Sequence, residues 1–92
     1  MSAENNLEVL KYFLESYFNE SANYEELEEL VHDFNEEDIE YRIRLSKELK
    51  DILQYQNEDF TQEYLRRYGK RKMSKEKIEW FIKIIQTNLE FN

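Results

Sequence analysis

Residues 20–40, ESANYEELEELVHDFNEEDIE, decide how this chain folds. The stretch contains ten carboxylates and no lysine or arginine. Its apolar residues recur at the spacing of one helix face: Tyr24, Leu27, Leu30, Val31 and Phe34. A disordered acidic tail would lack this periodicity. We therefore predict a helix that begins at a capping box of Asn23 and Glu26, runs to about Phe34 and turns its carboxylates outward.

The composition of the chain is that of one small domain. It has 92 residues, of which 40% are hydrophobic and 15% aromatic, which is enough to close one core. We expect a single helical domain over residues 1–92, with its core at about residues 7–90. Cysteine is absent, which excludes disulfides and thiolate metal sites. The polar first residues and the short apolar runs predict no signal peptide and no membrane span, and thus a cytoplasmic protein.

The formal net charge of −8 is unevenly distributed along the chain. Up to Glu40 there are thirteen acids and one base, whereas from Tyr41 onward twelve bases exceed eight acids. One interpretation is solubility together with attraction between the two halves. The other is a negative surface that speeds encounter with a basic partner and repels anionic ones. In either case we do not expect the first half to bind nucleic acid directly.

Four further helices are predicted, joined by short loops. Their expected bounds are Asn5 or Asn6 to Phe18 for the first helix, an Asn35 cap to Tyr55 or Gln56 for the third, an Asn57 cap to Tyr68 for the fourth, and a Ser74 cap to Leu89 for the last. Gly69 is the only glycine and is expected to end the fourth helix in the left-handed conformation. With one glycine and no proline, the chain is predicted to form an all-α bundle of four to five helices with short loops.

The apolar positions also predict which faces are buried. In the third helix these positions are Ile39, Leu45, Leu49, Ile52 and Leu53. The basic and acidic residues of that helix, Glu48 among them, are expected on an ordinary exposed surface. In the last helix, Trp80 and Ile84 project to a different side from the main apolar face. A helix that is apolar on more than one side is usually central, so we expect Trp80 in the core; the alternative is an exposed recognition patch.

Catalysis and metal binding have little support in the sequence. The single histidine, His32, lies beside Asp33 with no recognisable nucleophile. Carboxylate pairs such as Glu25 with Glu29 would attract a divalent cation only weakly, and neither calcium-loop nor zinc-site spacing occurs. We predict no enzyme, no metal and no cofactor. The basic residues 70–72 suggest a nucleic-acid contact, but a helix end and a solvated loop explain them as well.

Several elements of the chain resemble the small helical immunity proteins of bacterial contact-dependent growth inhibition systems. They are Phe13-Leu14-Glu15-Ser16-Tyr17-Phe18-Asn19, the Leu45, Glu48-Leu49 and Ile52-Leu53 pattern, Gly69 after a helix, and Ser74 leading to Glu79-Trp80-Phe81 and Leu89. The resemblance covers residues 7–89. It implies a protein that binds the C-terminal toxin domain of its cognate partner, often a nuclease, in the cytosol and blocks it. It transfers no binding residue, because members of the family neutralise different toxins.

Charge and periodicity alone select the residues that we expect to contact a partner. They are Glu25, Glu28, Glu29, His32, Asp33, Glu36, Glu37 and Tyr41. We expect a one-to-one complex with a basic toxin domain, a free protein that is monomeric, and no contact with membrane or nucleic acid. His32 and Tyr41 are the candidates for the strongest contacts at the edge of this surface. The alternative is an acidic helical adaptor or regulator, including a nucleic-acid mimic, that binds another basic protein.

Overall fold

The fold is an all-α bundle, as the sequence predicts. The computed structural model describes residues 7–55 and 58–91. Within these ranges the chain forms five α-helices and no strand: α1 Glu8–Ser16, α2 Leu27–Phe34, α3 Ile39–Tyr55, α4 Glu58–Gly69 and α5 Lys75–Asn88. A 3₁₀ turn, Tyr24–Glu26, leads directly into α2. The expected caps at Asn5, Asn6 and Asn57 and the expected helix end at Gln56 lie outside the described residues.

Phenylalanines from four parts of the chain form the centre of the core. Phe13 of α1 meets Phe34 of α2 edge to face, with ring centroids 5.5 Å apart. Phe18, in the loop after α1, lies 5.3 Å from Phe81 of α5. All four side chains are fully buried, and each contributes about 1.5–3 kcal/mol through removal of its apolar surface from water. α1 packs against α3 and α4, whereas α5 packs against α2, α3 and α4.

The N-terminus of α1 is capped by a residue of α3 and has no side-chain cap of its own. Glu48 was expected on an exposed surface, but it is only 5% exposed. Its two carboxylate oxygens accept the backbone N–H groups of Val9 at 3.2 Å and Leu10 at 2.8 Å. Burial raises the pKa of Glu48, against the lowering effect of these two hydrogen bonds. The expected ordinary surface at Glu48 is therefore wrong, because this carboxylate joins α3 to α1.

Two helix ends differ from the prediction. α1 ends at Ser16, before Phe18, because the N–H groups of both Tyr17 and Phe18 donate to the carbonyl of Phe13, which closes the helix with a wide turn. Asn35 does not cap α3, which begins at Ile39. Its side chain instead donates to the carbonyl of Asn88 and accepts the N–H of Glu90, both at 2.9 Å. A residue that reads locally as a helix cap thus attaches the end of α2 to the end of α5.

The glycine at the end of α4 has a different role from the one expected. Gly69 is the last residue of α4 and its φ is not positive; the left-handed residue is Lys70, with φ 60°. A Cβ atom on Gly69 would lie 3.3 Å from Cδ2 of Leu14. The absence of a side chain therefore allows α4 to pack closely on α1, and the prediction of a glycine in the left-handed conformation is wrong.

The burial expected for α3 and α5 is only partly found. Leu45 and Leu49 are buried and Ile52 is half-buried, but Ile39 and Leu53 are 38% and 41% exposed. Ile39 is the first residue of α3. Trp80 is 37% exposed and lies at the edge of the bundle, because α5 packs through its other sides.

Candidate partner-binding surface

Most of the predicted contact residues stand together on the outer side of α2. Glu25, Glu28, Glu29 and His32 are exposed and line one open depression. Asp33 is exposed as well and follows Glu29 by one helical turn. We call these five residues the acidic α2 face. The ion pairs found in the described ranges involve other acids, so none of these pairs includes a carboxylate of the face.

The sequence placed the face correctly because local signals define α2. The capping box is present at Asn23 and Glu26, with the Glu26 carboxylate accepting the N–H of Asn23 at 2.8 Å. The buried residues Leu27, Val31 and Phe34 fix the inner side of the helix, so the remaining positions turn outward. These five apolar or capping positions are therefore enough to orient the carboxylates.

The acidic α2 face borders a seam with α5. The rings of Tyr24 and Trp80 are 5.8 Å apart at one end of the seam. At the other end, Nε2 of His32 lies 3.2 Å from Oδ1 of Asn88. The residue numbers rise in step on the two helices, so α2 and α5 run in the same direction. Trp80, which the pattern assigned to the core, thus supplies an exposed aromatic ring beside the carboxylates.

Glu37 and Tyr41 belong to a second group, on the side facing α1. Oε2 of Glu37 accepts hydrogen bonds from two hydroxyl groups, that of Tyr12 at 2.7 Å and that of Tyr17 at 2.6 Å. These hydrogen bonds lower the pKa of the Glu37 carboxyl. The pKa of Tyr12 is raised chiefly by its hydrogen bond to Glu37, and the pKa of Tyr17 is raised chiefly by burial. The ring of Tyr41 lies 5.7 Å from that of Tyr12. We call Tyr12, Tyr17, Glu37 and Tyr41 the tyrosine–carboxylate cluster.

The remaining predicted residue, Glu36, lies between the two groups. It is exposed, in the turn that follows α2, and its N–H donates to the carbonyl of Asp33 at 3.1 Å. The sequence could not separate the two groups, because the break between α2 and α3 turns the chain between Glu36 and Glu37. Tyr12 and Tyr17 escaped notice as partners of Glu37 because they lie at least 20 positions away in the sequence.

Arg71, in the basic loop after α4, binds the segment that leads into α2. Nη2 of Arg71 donates to the carbonyls of Asn19 at 2.7 Å and Ala22 at 2.8 Å. Its guanidinium lies over the rings of Phe18 and Tyr24, 4.1 Å and 5.1 Å from their centroids. We call this arrangement the Arg71 clamp. It fixes the loop that enters α2 and so positions the acidic α2 face.

The described residues contain no metal-type cluster. No group of three or more histidine or acidic side chains in residues 7–55 and 58–91 is arranged to hold a metal ion. None of the helices in the part of the chain that the structure describes has the length and apolar character needed to cross a membrane. Comparisons with protein-family models, curated proteins and solved structures found no match to this chain.

Proposed function

We propose that this protein is an immunity protein, which binds and neutralises a cognate toxin domain in a one-to-one complex. The proposal combines the family resemblance of the sequence with one structural observation: the acidic α2 face is a continuous row of exposed carboxylates with no ion-pair partner in the described ranges. The protein would act by occupying a surface of the toxin, in the cytoplasm, and not by catalysis.

Charge explains why a basic toxin suits this face. A nuclease domain carries cations where it holds the phosphate backbone, and such a surface is complementary to a row of carboxylates. Complementary fields raise the rate of association by about 10 to 1,000 times at low salt. They also repel anionic proteins, which contributes to specificity. Fast capture is useful to an inhibitor whose target damages the cell that makes it.

The alternative, an acidic adaptor or regulator of another basic protein, uses the same electrostatics. Salt dependence therefore does not distinguish the two functions. A growth assay does: the C-terminal region of the polypeptide encoded immediately upstream is induced with and without this protein. Rescue of growth, followed by tight one-to-one binding of the purified pair, supports the immunity function. Toxicity without rescue, or no toxicity, contradicts it and favours the adaptor.

A matched pair of charge reversals then tests the surface. The first variant changes Glu25, Glu29 and Asp33 to lysine. The control changes Glu15, Glu79 and Glu90 to lysine; these are equally exposed acids outside the acidic α2 face, so the change in net charge is the same. We expect association with the toxin to slow by about tenfold or more at low salt in the first variant only. Equal slowing in both would show that net charge, and not this face, guides binding.

A further inference from the structure

The tyrosine–carboxylate cluster joins α1, the turn after α2 and the start of α3. Both tyrosine hydroxyls donate to the same oxygen of Glu37, Oε2. The other oxygen, Oε1, accepts no hydrogen bond within the described residues and is not sealed from solvent. Because two donors hold the carboxylate, its orientation is fixed before any partner arrives. Oε1 therefore keeps both of its lone-pair directions for a donor from outside.

Two exposed aromatic rings, those of Tyr12 and Tyr41, belong to the same cluster. Tyr12 is 36% and Tyr41 39% exposed, and their rings meet edge to face. Tyr12 is also held by ring contacts with Tyr17, at 6.0 Å, and Phe34, at 6.3 Å. The aromatic surface is thus anchored to the core. Rigid, half-exposed tyrosines give a partner a large contact area at low cost in side-chain entropy.

Arg42, whose side chain contacts the backbone of Glu37, forms no ion pair with the carboxylate of the cluster. Nε of Arg42 donates to the backbone carbonyl of Glu37 at 3.1 Å, and its Nη1 donates to the carbonyl of Glu90 at 2.7 Å. The guanidinium is therefore occupied by two backbone carbonyls, and no ion pair forms between Arg42 and the Glu37 carboxylate. The negative charge of Glu37 remains available at the surface.

We propose that the tyrosine–carboxylate cluster receives an arginine side chain of the basic partner, which donates to Oε1 of Glu37 while its guanidinium plane lies on Tyr12 or Tyr41. This inference rests on the proposed function for the existence of a basic partner. Arginine fits better than lysine, because its planar group stacks on aromatic rings and donates in the same plane. The tyrosine hydroxyls already hold the carboxylate, so binding does not have to order it.

The cluster can be tested without a toxin. Isotope-labelled full-length protein is titrated with N-acetyl-arginine amide, and NMR shifts are followed; the lysine and citrulline amides serve as probes of shape and charge. We expect saturable shifts at Tyr12, Glu37 and Tyr41 with the arginine compound, and much weaker ones with the other two. Shifts of equal size with lysine, or shifts concentrated on the acidic α2 face, would overturn the proposal.

A neighbouring pair of variants provides the control. Glu37→Gln and Glu36→Gln remove the same charge one residue apart, but only Glu37 belongs to the cluster. We expect the affinity for the arginine compound to fall about tenfold with Glu37→Gln and to change little with Glu36→Gln. Tyr41→Ala, which leaves both hydroxyl bonds to Glu37 in place, should weaken binding as well. Equal affinities for the Glu37→Gln and Glu36→Gln variants would overturn the proposal.

The same pair distinguishes failure of this site from failure of the proposed function. In the complex with the toxin, Glu37→Gln should speed dissociation about tenfold and Glu36→Gln should not. If wild-type protein rescues growth but the two variants dissociate alike, the arginine site is refuted and the immunity function stands. If wild-type protein gives no rescue, the proposed function fails, whatever the titration with the arginine compound shows.

Discussion

Replacing Glu48 with glutamine tests whether α3 caps α1. The carboxylate accepts two backbone N–H groups, those of Val9 and Leu10, with one oxygen each. Glutamine has nearly the same shape but only one acceptor oxygen, so its amide group would face the second N–H as a donor facing a donor. The change therefore removes one acceptor from a buried site and also removes a buried charge.

The two effects have opposite signs and can be estimated separately. A buried N–H left without an acceptor costs about 1–3 kcal/mol. Removal of the charge returns part of this, because burial disfavours the ionised form of Glu48 and raises its pKa. We expect a net loss of about 1–2 kcal/mol in the free energy of unfolding at pH 7. Glu48→Ala, which removes both acceptors, should cost about 2–4 kcal/mol.

The dependence on pH gives the sharper test. The folded-state pKa of Glu48 is raised, so the folded chain binds more protons than the unfolded chain between the ordinary glutamate pKa and the raised one. The contribution of Glu48 to stability must then decrease as pH rises through that window and increase as pH falls. The wild-type protein should therefore gain stability relative to Glu48→Gln as the pH falls from 7 toward the ordinary glutamate pKa of 4.5. Other carboxylates are common to both proteins and cancel in this difference.

Urea unfolding of the two proteins at several pH values measures this difference directly. Glu15→Gln, the same chemical change at an exposed position of α1, is the control and should alter stability by no more than about 0.5 kcal/mol. A Glu48→Gln protein as stable as the control at pH 7 would refute the cap. A stability difference that stays constant as the pH falls from 7 to the ordinary glutamate pKa of 4.5, or shrinks over that range, would refute the reasoning about burial.

Two further substitutions test other contacts. Arg71→Lys should lower the free energy of unfolding by about 1–3 kcal/mol, because lysine cannot donate to the carbonyls of Asn19 and Ala22 in the geometry of a guanidinium. Arg66→Lys, at an exposed ion pair, is the control. Equal losses of stability in thermal unfolding of the two variants would contradict the Arg71 clamp. Trp80→Ala should lower the free energy of unfolding by about 1–2 kcal/mol, because the ring is partly exposed. Phe81→Ala, which removes a buried ring, should lower it by about 3–5 kcal/mol. Similar losses for the two variants in urea unfolding would place Trp80 in the core.

The features that the sequence predicted correctly depend on near neighbours along the chain. The capping box of Asn23 and Glu26 spans three residues, and the Ser74 hydroxyl accepts the N–H of Lys77, as expected, at 3.1 Å. The apolar stripe of α2 repeats within two or three turns, so its outward acids followed from it. The residues that determine these features all lie within a few turns of one another, and tertiary packing does not alter them here.

Three of the errors concern residues whose partners are distant in sequence. Asn35 has the right type for a helix cap, yet it binds the chain at Asn88 and Glu90. Glu48 resembles any surface glutamate until α1 is placed over it. Gly69 was predicted to end α4 in the left-handed conformation because glycine is common there, whereas its contact with Leu14 depends on how α4 meets α1. No local pattern contains this information, because it arises only when the helices pack.

The Arg71 clamp also bears on how easily the outer surface can change. Arg71 donates hydrogen bonds to two backbone carbonyls, those of Asn19 and Ala22, and every amino acid has a backbone carbonyl. The side chains of Asn19 and Ala22 can therefore be exchanged without loss of the two hydrogen bonds from Arg71. Outward positions of α2 have the same freedom, since its inner residues hold it in place. Such a scaffold can acquire a new surface chemistry, suited to a different partner, while its interior stays as it is.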